Sequence, residues 1–170
     1  SLFSGSGELH GLFIGNPQGF ASDRAMSFGL IGVDLDTGSV TDDTVRIHTV
    51  NVVNPKVTLE VSANGNNLQA LQKNVAIRTA SPEEEQTEPK EEKKVFISDI
   101  WIRGTEVTVA ITELGGRSVT VSVPDLHLTN IGSEDAGVAA SQAVDQILAA
   151  WGNQIAEAVT LDVSVMDLFK

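Results

Sequence analysis

Strict alternation of apolar and polar side chains runs through much of the chain. Val57, Leu59 and Val61 alternate with Lys56, Thr58 and Glu60, and Val107, Val109 and Ile111 alternate with Glu106, Thr108, Ala110 and Thr112. Val119, Val121 and Val123 repeat the pattern. Successive side chains of a strand point to opposite faces, so each stretch predicts a strand with one dry face and one wet face. Leu9 to Ile14 and Leu30 to Leu35 predict two more strands, and Leu126 to Ile131 another, with Leu126 and Leu128 on one face. Val95 to Ile102, an almost continuous apolar run containing Trp101, is part of the strongest β signal. In Val45, Ile47, Val50 and Val52 the period slips by one residue, which predicts a β-bulge at Thr49.

Turn chemistry punctuates these runs. Asn16-Pro17 and Gly19-Phe20 follow the first strand: Pro17 fixes its own φ, holds Asn16 extended, and Gly19 accepts the positive φ that closes a tight turn. Between Ala21 and the next strand, Ser22 suits the cap of a short helical turn starting at Asp23, with an irregular connection as the alternative. Asp36-Thr-Gly38, Asn54-Pro55, Asn64 to Asn67 and Pro124-Asp125 mark further breaks. Gly104-Thr105 and Leu114 to Arg117 stand at hairpin spacing, so the runs from Val95 to Val123 predict a three-stranded meander. Leu68, Leu71 and Val75 sit at helical spacing and predict a short amphipathic turn.

After Ile131 the period changes. Ser133, with Glu134 and Asp135 behind it, is a good helix start, and the segment Ala136 to Val159 places Val144, Ile147, Leu148, Trp151, Ile155 and Val159 on one stripe. Six large apolar side chains, at about 1.5 to 3 kcal/mol each, favour docking by roughly 10 kcal/mol before entropy is subtracted. Val163 and Val165 alternate beyond it, which suits a last strand within Leu161 to Lys170. The elements together predict an α+β fold, a mostly antiparallel sheet covered by a C-terminal amphipathic helix.

Composition narrows the picture. A chain of 170 residues is one domain of ordinary size. Residues 81–94 carry no apolar side chain and predict a disordered acidic loop between two halves, 8–79 and 95–170, of a single domain spanning 8–170. Residues 1–7, rich in Ser and Gly, read as a flexible leader. A net charge of −12 argues against nucleic acid as a partner, since phosphate-backbone binding needs clustered Lys and Arg. Cysteine is absent, and no apolar run approaches the ~18 to 20 residues of a membrane span. The chain begins at Ser1 rather than Met, which points to a removed upstream segment.

Candidate chemistry is sparse. His10, His48 and His127 lie on three separate predicted strands, and no Cys accompanies them, so exposed strand histidines are favoured over a metal site. Asp34, Asp36, Asp42 and Asp43 lack the further ligands and glycine of a calcium loop. Neither Gly115-Gly116 nor the Gly29 and Gly32 spacing is followed by the Lys-Ser/Thr of a phosphate cradle. No nucleophile elbow or triad signature appears, so the reading is a non-enzymatic domain without catalytic, metal or cofactor residues. Phe13, Phe20, Phe28 and Trp101 are the candidate lining of a hydrophobic groove, against the alternative that they pack a core.

Leu12-Phe-Ile-Gly-Asn-Pro-Gln-Gly-Phe20, Ile31-Gly-Val-Asp-Leu35, Val45-Arg-Ile47, Val52 to Glu60 and Asn67-Leu-Gln-Ala-Leu71 together resemble the amino-terminal region of AsmA-like bacterial envelope proteins. Val95 to Gly104 and Val123 to Gly132 are similar to the strands that follow. The resemblance implies a curved, half-barrel-like sheet in a periplasmic body, tethered to the inner membrane by an N-terminal helix upstream of this chain. It further implies lipid handling or outer-membrane assembly, with phospholipid or another envelope lipid and envelope proteins as partners. Two departures stand out: the chain is far shorter than the long groove-forming members, and its amphipathic helix could fill the concavity a lipid needs. The alternative is a protein-protein interaction or scaffold module without a lipid groove.

Overall fold

The computed structural model describes residues 4–63, 65–71, 93–111, 115 and 117–168. It is an α+β structure in which a curled, mixed sheet forms a half-barrel with a C-terminal helix packed against it. Among the described residues ten strands follow in order: β1 (Ser4–Gly15), β2 (Arg24–Asp36), β3 (Thr44–Val53), β4 (Lys56–Ser62), β5 (Gly65–Asn66), β6 (Lys94–Arg103), β7 (Glu106–Ile111), β8 (Arg117–Ser122), β9 (Leu126–Ile131) and β10 (Val138–Ala139). A 3-10 turn, Thr37–Thr41, links β2 to β3, and two helices, Ala140–Leu161 and Val163–Asp167, close the chain. The acidic stretch 81–94 falls outside the described residues except for Lys93 and Lys94, and Lys94 already belongs to β6.

Pairing shows that several of these strands are halves of longer ones. β3 and β4 run antiparallel to β2 in one uninterrupted register, from Leu30↔Val53 to Ser27↔Lys56. β6 and β7 run parallel to β3 and β4 at one constant offset, Val53↔Arg103 on one side of the break and Lys56↔Glu106 on the other. β9 and β8 do the same antiparallel to β6 and β7. The sheet is therefore five long strands, β1, β2, β3–β4, β6–β7 and β8–β9, with one parallel seam between the two halves of the chain. Gly104-Thr105 is not the hairpin its spacing predicts. The chain continues in line through it, because β7 finds its partners in β4 and β8 rather than in β6. Of the predicted meander, only the β7–β8 hairpin exists, with Ile111 opposite Arg117.

A crease crosses the whole sheet where these breaks line up. Gly11 (φ 69), Gly29, Asn54-Pro55, Gly104-Thr105 and Pro124-Asp125 occupy neighbouring positions on successive strands, and Asn54 (φ 52) and Gly104 (φ 70) both take left-handed conformations. Pro55 and Pro124 have no N–H to give to a ladder. The ladder is carried over the break instead by Asn54 N donating to Arg103 O (2.8 Å), Glu106 N to Pro55 O (3.0 Å) and Val123 N to Thr105 O (2.9 Å). Gly104 is needed for close approach as well as for its φ, since a Cβ there would overlap Asn54 Oδ1. Each strand also slips by one residue at the crease. Val52 and Val57, Ile102 and Val107, and Val123 and Leu126 consequently share one face although simple alternation would separate them. Because every strand slips together, the dry face stays dry across the bend. A second slip lies at His48, which bulges between Asp34↔Thr49 and Leu35↔Ile47, one residue from the predicted position.

The dry face packs against the long helix. Ile100, Ile102, Val107, Val109, Val121 and Val123 are buried with Ala143, Trp151 and Ile155. Trp151 docks on the crease: its Nε1 donates to Thr105 Oγ1 (3.2 Å), and Gln154 Nε2 donates to Pro124 O (2.6 Å). The helix starts at Ala140, not at Ala136 as Ser133 suggests. Ser133 Oγ instead accepts from Ala136 N (3.0 Å) in an isolated turn, after which Val138 and Ala139 pair with Val95 and Lys94 of β6. Its inward row is Ala143, Ile147, Trp151 and Ile155, spaced four apart, with Ile147 half-buried and the other three buried. Val144 and Leu148 of the predicted stripe sit one residue further round, about 100° away, and stay exposed at 52% and 48%. Val163 and Val165 form no strand; they open the short second helix, in which Val165 is buried. Ser4 to Gly7 are not a leader either: they belong to β1, paired with Val33 to Asp36.

Candidate functional site

The dry face divides into a covered and an open part. The long helix lies over β6, β8, β9 and β10. On the far side, β1 pairs with β2 alone among the described strands. Leu9 faces Ile31, and Leu12 faces Phe28, so both side chains sit on the dry face; they are 51% and 39% exposed. Ile31, Val33 and Leu35 beside them are half-buried. An apolar strip thus runs along β1 and β2, bounded towards the helix by Phe28, whose ring lies 6.3 Å from that of Trp151.

The wet face of β4 holds a buried polar cluster that pins the Asn16 to Ser22 turn. Glu60, 3% exposed, accepts from Ala21 N (2.8 Å), Ser22 N (3.2 Å) and Ser22 Oγ (2.8 Å). Asn67, fully buried, accepts from Glu60 N (2.8 Å) and donates to Thr58 O and to Asn16 Oδ1 (both 2.7 Å). Asn16 Nδ2 in turn donates to Ser22 O (2.7 Å). Ser22 therefore caps no helix; its hydroxyl and amide are committed to Glu60. A carboxylate taken out of water is tolerable here because polar hydrogens converge on it. The cluster fixes where β1 turns into β2, and so where the open strip lies.

The four aromatic residues proposed from the sequence do not line one groove. Phe28 is on the dry face beside Trp151. Phe13, 53% exposed, lies opposite Ser27 on the wet face, under the Arg24 guanidinium (4.3 Å). Trp101 is also on the wet face, stacked on His127 at 3.8 Å with Arg103 at 4.2 Å from its ring. Phe20 sits half-buried in the turn. The core of the dry face is aliphatic plus Trp151, and its open part is marked by Leu9 and Leu12, which reasoning from aromatic content passes over. The available signal was the short apolar run Leu9 to Ile14 that holds them.

The histidines remain apart. His10, His48 and His127 occupy β1, β3 and β9, and no group of His, Cys, Asp or Glu suited to a metal forms among the described residues. His127 Nε2 lies 2.9 Å from Asp99 Oδ1 and His10 Nε2 lies 3.2 Å from Glu8 Oε2, exposed pairs of little energetic consequence. Asp36 is a turn acid, its Oδ1 accepting from Gly38 N (2.9 Å). No helix among the described residues is long and apolar enough to cross a membrane. No protein-family model, curated protein or solved structure matches the chain.

Proposed function

We propose that this chain is a non-enzymatic lipid-handling domain of the bacterial envelope, of the AsmA-like type, and that the β1–β2 strip takes the acyl chain. The observation that carries this reading is the exposure of Leu9 and Leu12 on the dry face of the sheet. Contiguous apolar surface left beside a packed core is what an apolar ligand would cover. The helix fills the concavity over β6 to β9, so the ligand lies along one side of the half-barrel, not through its middle. In this reading the body stands in the periplasm, tethered to the inner membrane by a segment upstream of Ser1, and meets envelope proteins there.

The test uses a brominated fatty acid and the intrinsic fluorescence of Trp151 in a Trp101→Phe background. Quenching that disappears in Leu9→Asp and Leu12→Asp, together with a lipid adduct in native mass spectrometry, is the expected result. Absence of both quenching and adduct removes the lipid reading. A second reading, an assembly module, is favoured by a different observation: the outer edge of β1 has no strand partner among the described residues, and such edges pair readily with a further strand.

A further inference from the structure

The wet face carries a cleft that none of the features above employs. It has a volume of about 230 Å³ and lies on the N-terminal side of β2 where β4 and β7 leave the crease. Its polar lining comes from three adjacent strands: Arg24 and Ser27 of β2, Lys56 and Thr58 of β4, and Glu106 and Thr108 of β7. Register explains the convergence. Ser27 faces Lys56, Lys56 faces Glu106, and Thr58 faces Thr108, so these five side chains form two short cross-strand rows on one face. Arg24 joins them because the β1–β2 register slips between Ile14 and Gly15, turning its guanidinium over Phe13 on that same face.

Among the described residues, neither Arg24 nor Lys56 forms a salt bridge, even though the chain carries a net charge of −12 and Glu106 stands opposite Lys56. Two cations and three hydroxyls around one concavity supply the donors that a tetrahedral oxyanion accepts from. We infer that this cleft binds a phosphate group, with Arg24 and Lys56 as the charged contacts and Ser27, Thr58 and Thr108 as hydroxyl donors. Glu106 opposes the anion from the rim and keeps the site weak. The negative field of the whole chain does so too, but it is screened beyond about 8 to 10 Å at physiological salt, whereas the two cations act at contact distance. The cleft is on the face opposite the apolar strip, so its occupancy does not depend on acyl-chain binding.

Amide chemical shifts of the intact chain are followed during titration with inorganic phosphate. In parallel, sedimentation is measured with phosphatidylcholine vesicles made with and without phosphatidic acid. Phosphate should move the amides of Ser27, Thr58 and Thr108. Arg24→Gln and Lys56→Gln should each weaken binding about tenfold, the usual effect of removing one charge-assisted hydrogen bond. Glu106→Gln should strengthen it, a sign that a structural disturbance would not produce. Response to phosphate alone identifies a soluble phosphorylated ligand, and added retention by phosphatidic acid, lost in Lys56→Gln, identifies a lipid headgroup. Unmoved amides together with no vesicle preference overturn the inference, as does binding that is indifferent to all three substitutions.

Discussion

The two sides of this sheet are built from the same kind of sequence and end in different environments. On the helix side, Ile100, Ile102, Val107 and Val121 are at most 3% exposed. On the β1 side, Leu9 and Leu12, brought to the same face by the slip at Gly11, are 51% and 39% exposed. Nothing local separates the two sets. What separates them is the landing place of one helix, set by Trp151 on Thr105 and Gln154 on Pro124. A dyad repeat thus predicts that one face of a strand is dry-capable; whether it is dry depends on an element about 30 to 140 residues away.

The sharpest way to break that contrast is truncation on each side. Trp151→Ala should cost about 3 to 5 kcal/mol, because it opens a cavity at the crease and leaves the Thr105 hydroxyl, 2% exposed, without its indole donor. Leu12→Ala should cost under about 1 kcal/mol, since little surface is withdrawn from water there. Urea denaturation of the two variants measures the difference, and equal losses would mean that the strip is covered in solution.

A smaller effect is expected from the polar cluster that positions the strip. Glu60→Gln keeps the shape but turns an amide group towards donors from Ala21 and Ser22, at a cost of about 2 kcal/mol. Hydrogen exchange should quicken at Ala21 and Ser22 well before it does at Val107. Uniform acceleration would show that the turn and the core open as one unit.

The smallest difference expected is between two glycines of the crease. Gly104→Ala and Gly11→Ala both force a side chain into a left-handed backbone, φ 70 and φ 69, at about 1 kcal/mol each. At Gly104 the new methyl also meets Asn54, whereas at Gly11 nothing lies within 4 Å. Gly104→Ala should therefore lose roughly another 1 kcal/mol. Equal thermal shifts would mean that Asn54 simply turns away.

Much of the architecture was readable beforehand. Alternation located most strands, proline and asparagine marked the bends, and the period change after Ile131 announced the helix. Errors came where a signal has two geometrical solutions. Gly104-Thr105 suits a hairpin and also an in-line kink, and only the parallel partner β4, reached across a long connection, selects the kink. Ser133 is a sound capping residue, but the pairing of Val138 and Ala139 with β6 postpones the helix to Ala140. For the site, neither Glu60 nor Asn67 stands out in sequence, because a lone carboxylate in an alternating strand normally faces water.

By itself, the sequence of this protein determined its periodicities: which residues can share a dry face, where the chain must bend, and that one amphipathic helix follows one sheet. Those are consequences of backbone geometry and of local residue chemistry. Only the tertiary structure decided that the bends align into one crease and that the helix covers one part of the dry face and leaves another open. It likewise brought Glu60 under a turn nearly forty residues earlier, and Arg24 and Lys56 to one cleft. Register between distant strands sets all of these, and no local pattern encodes which strands become neighbours.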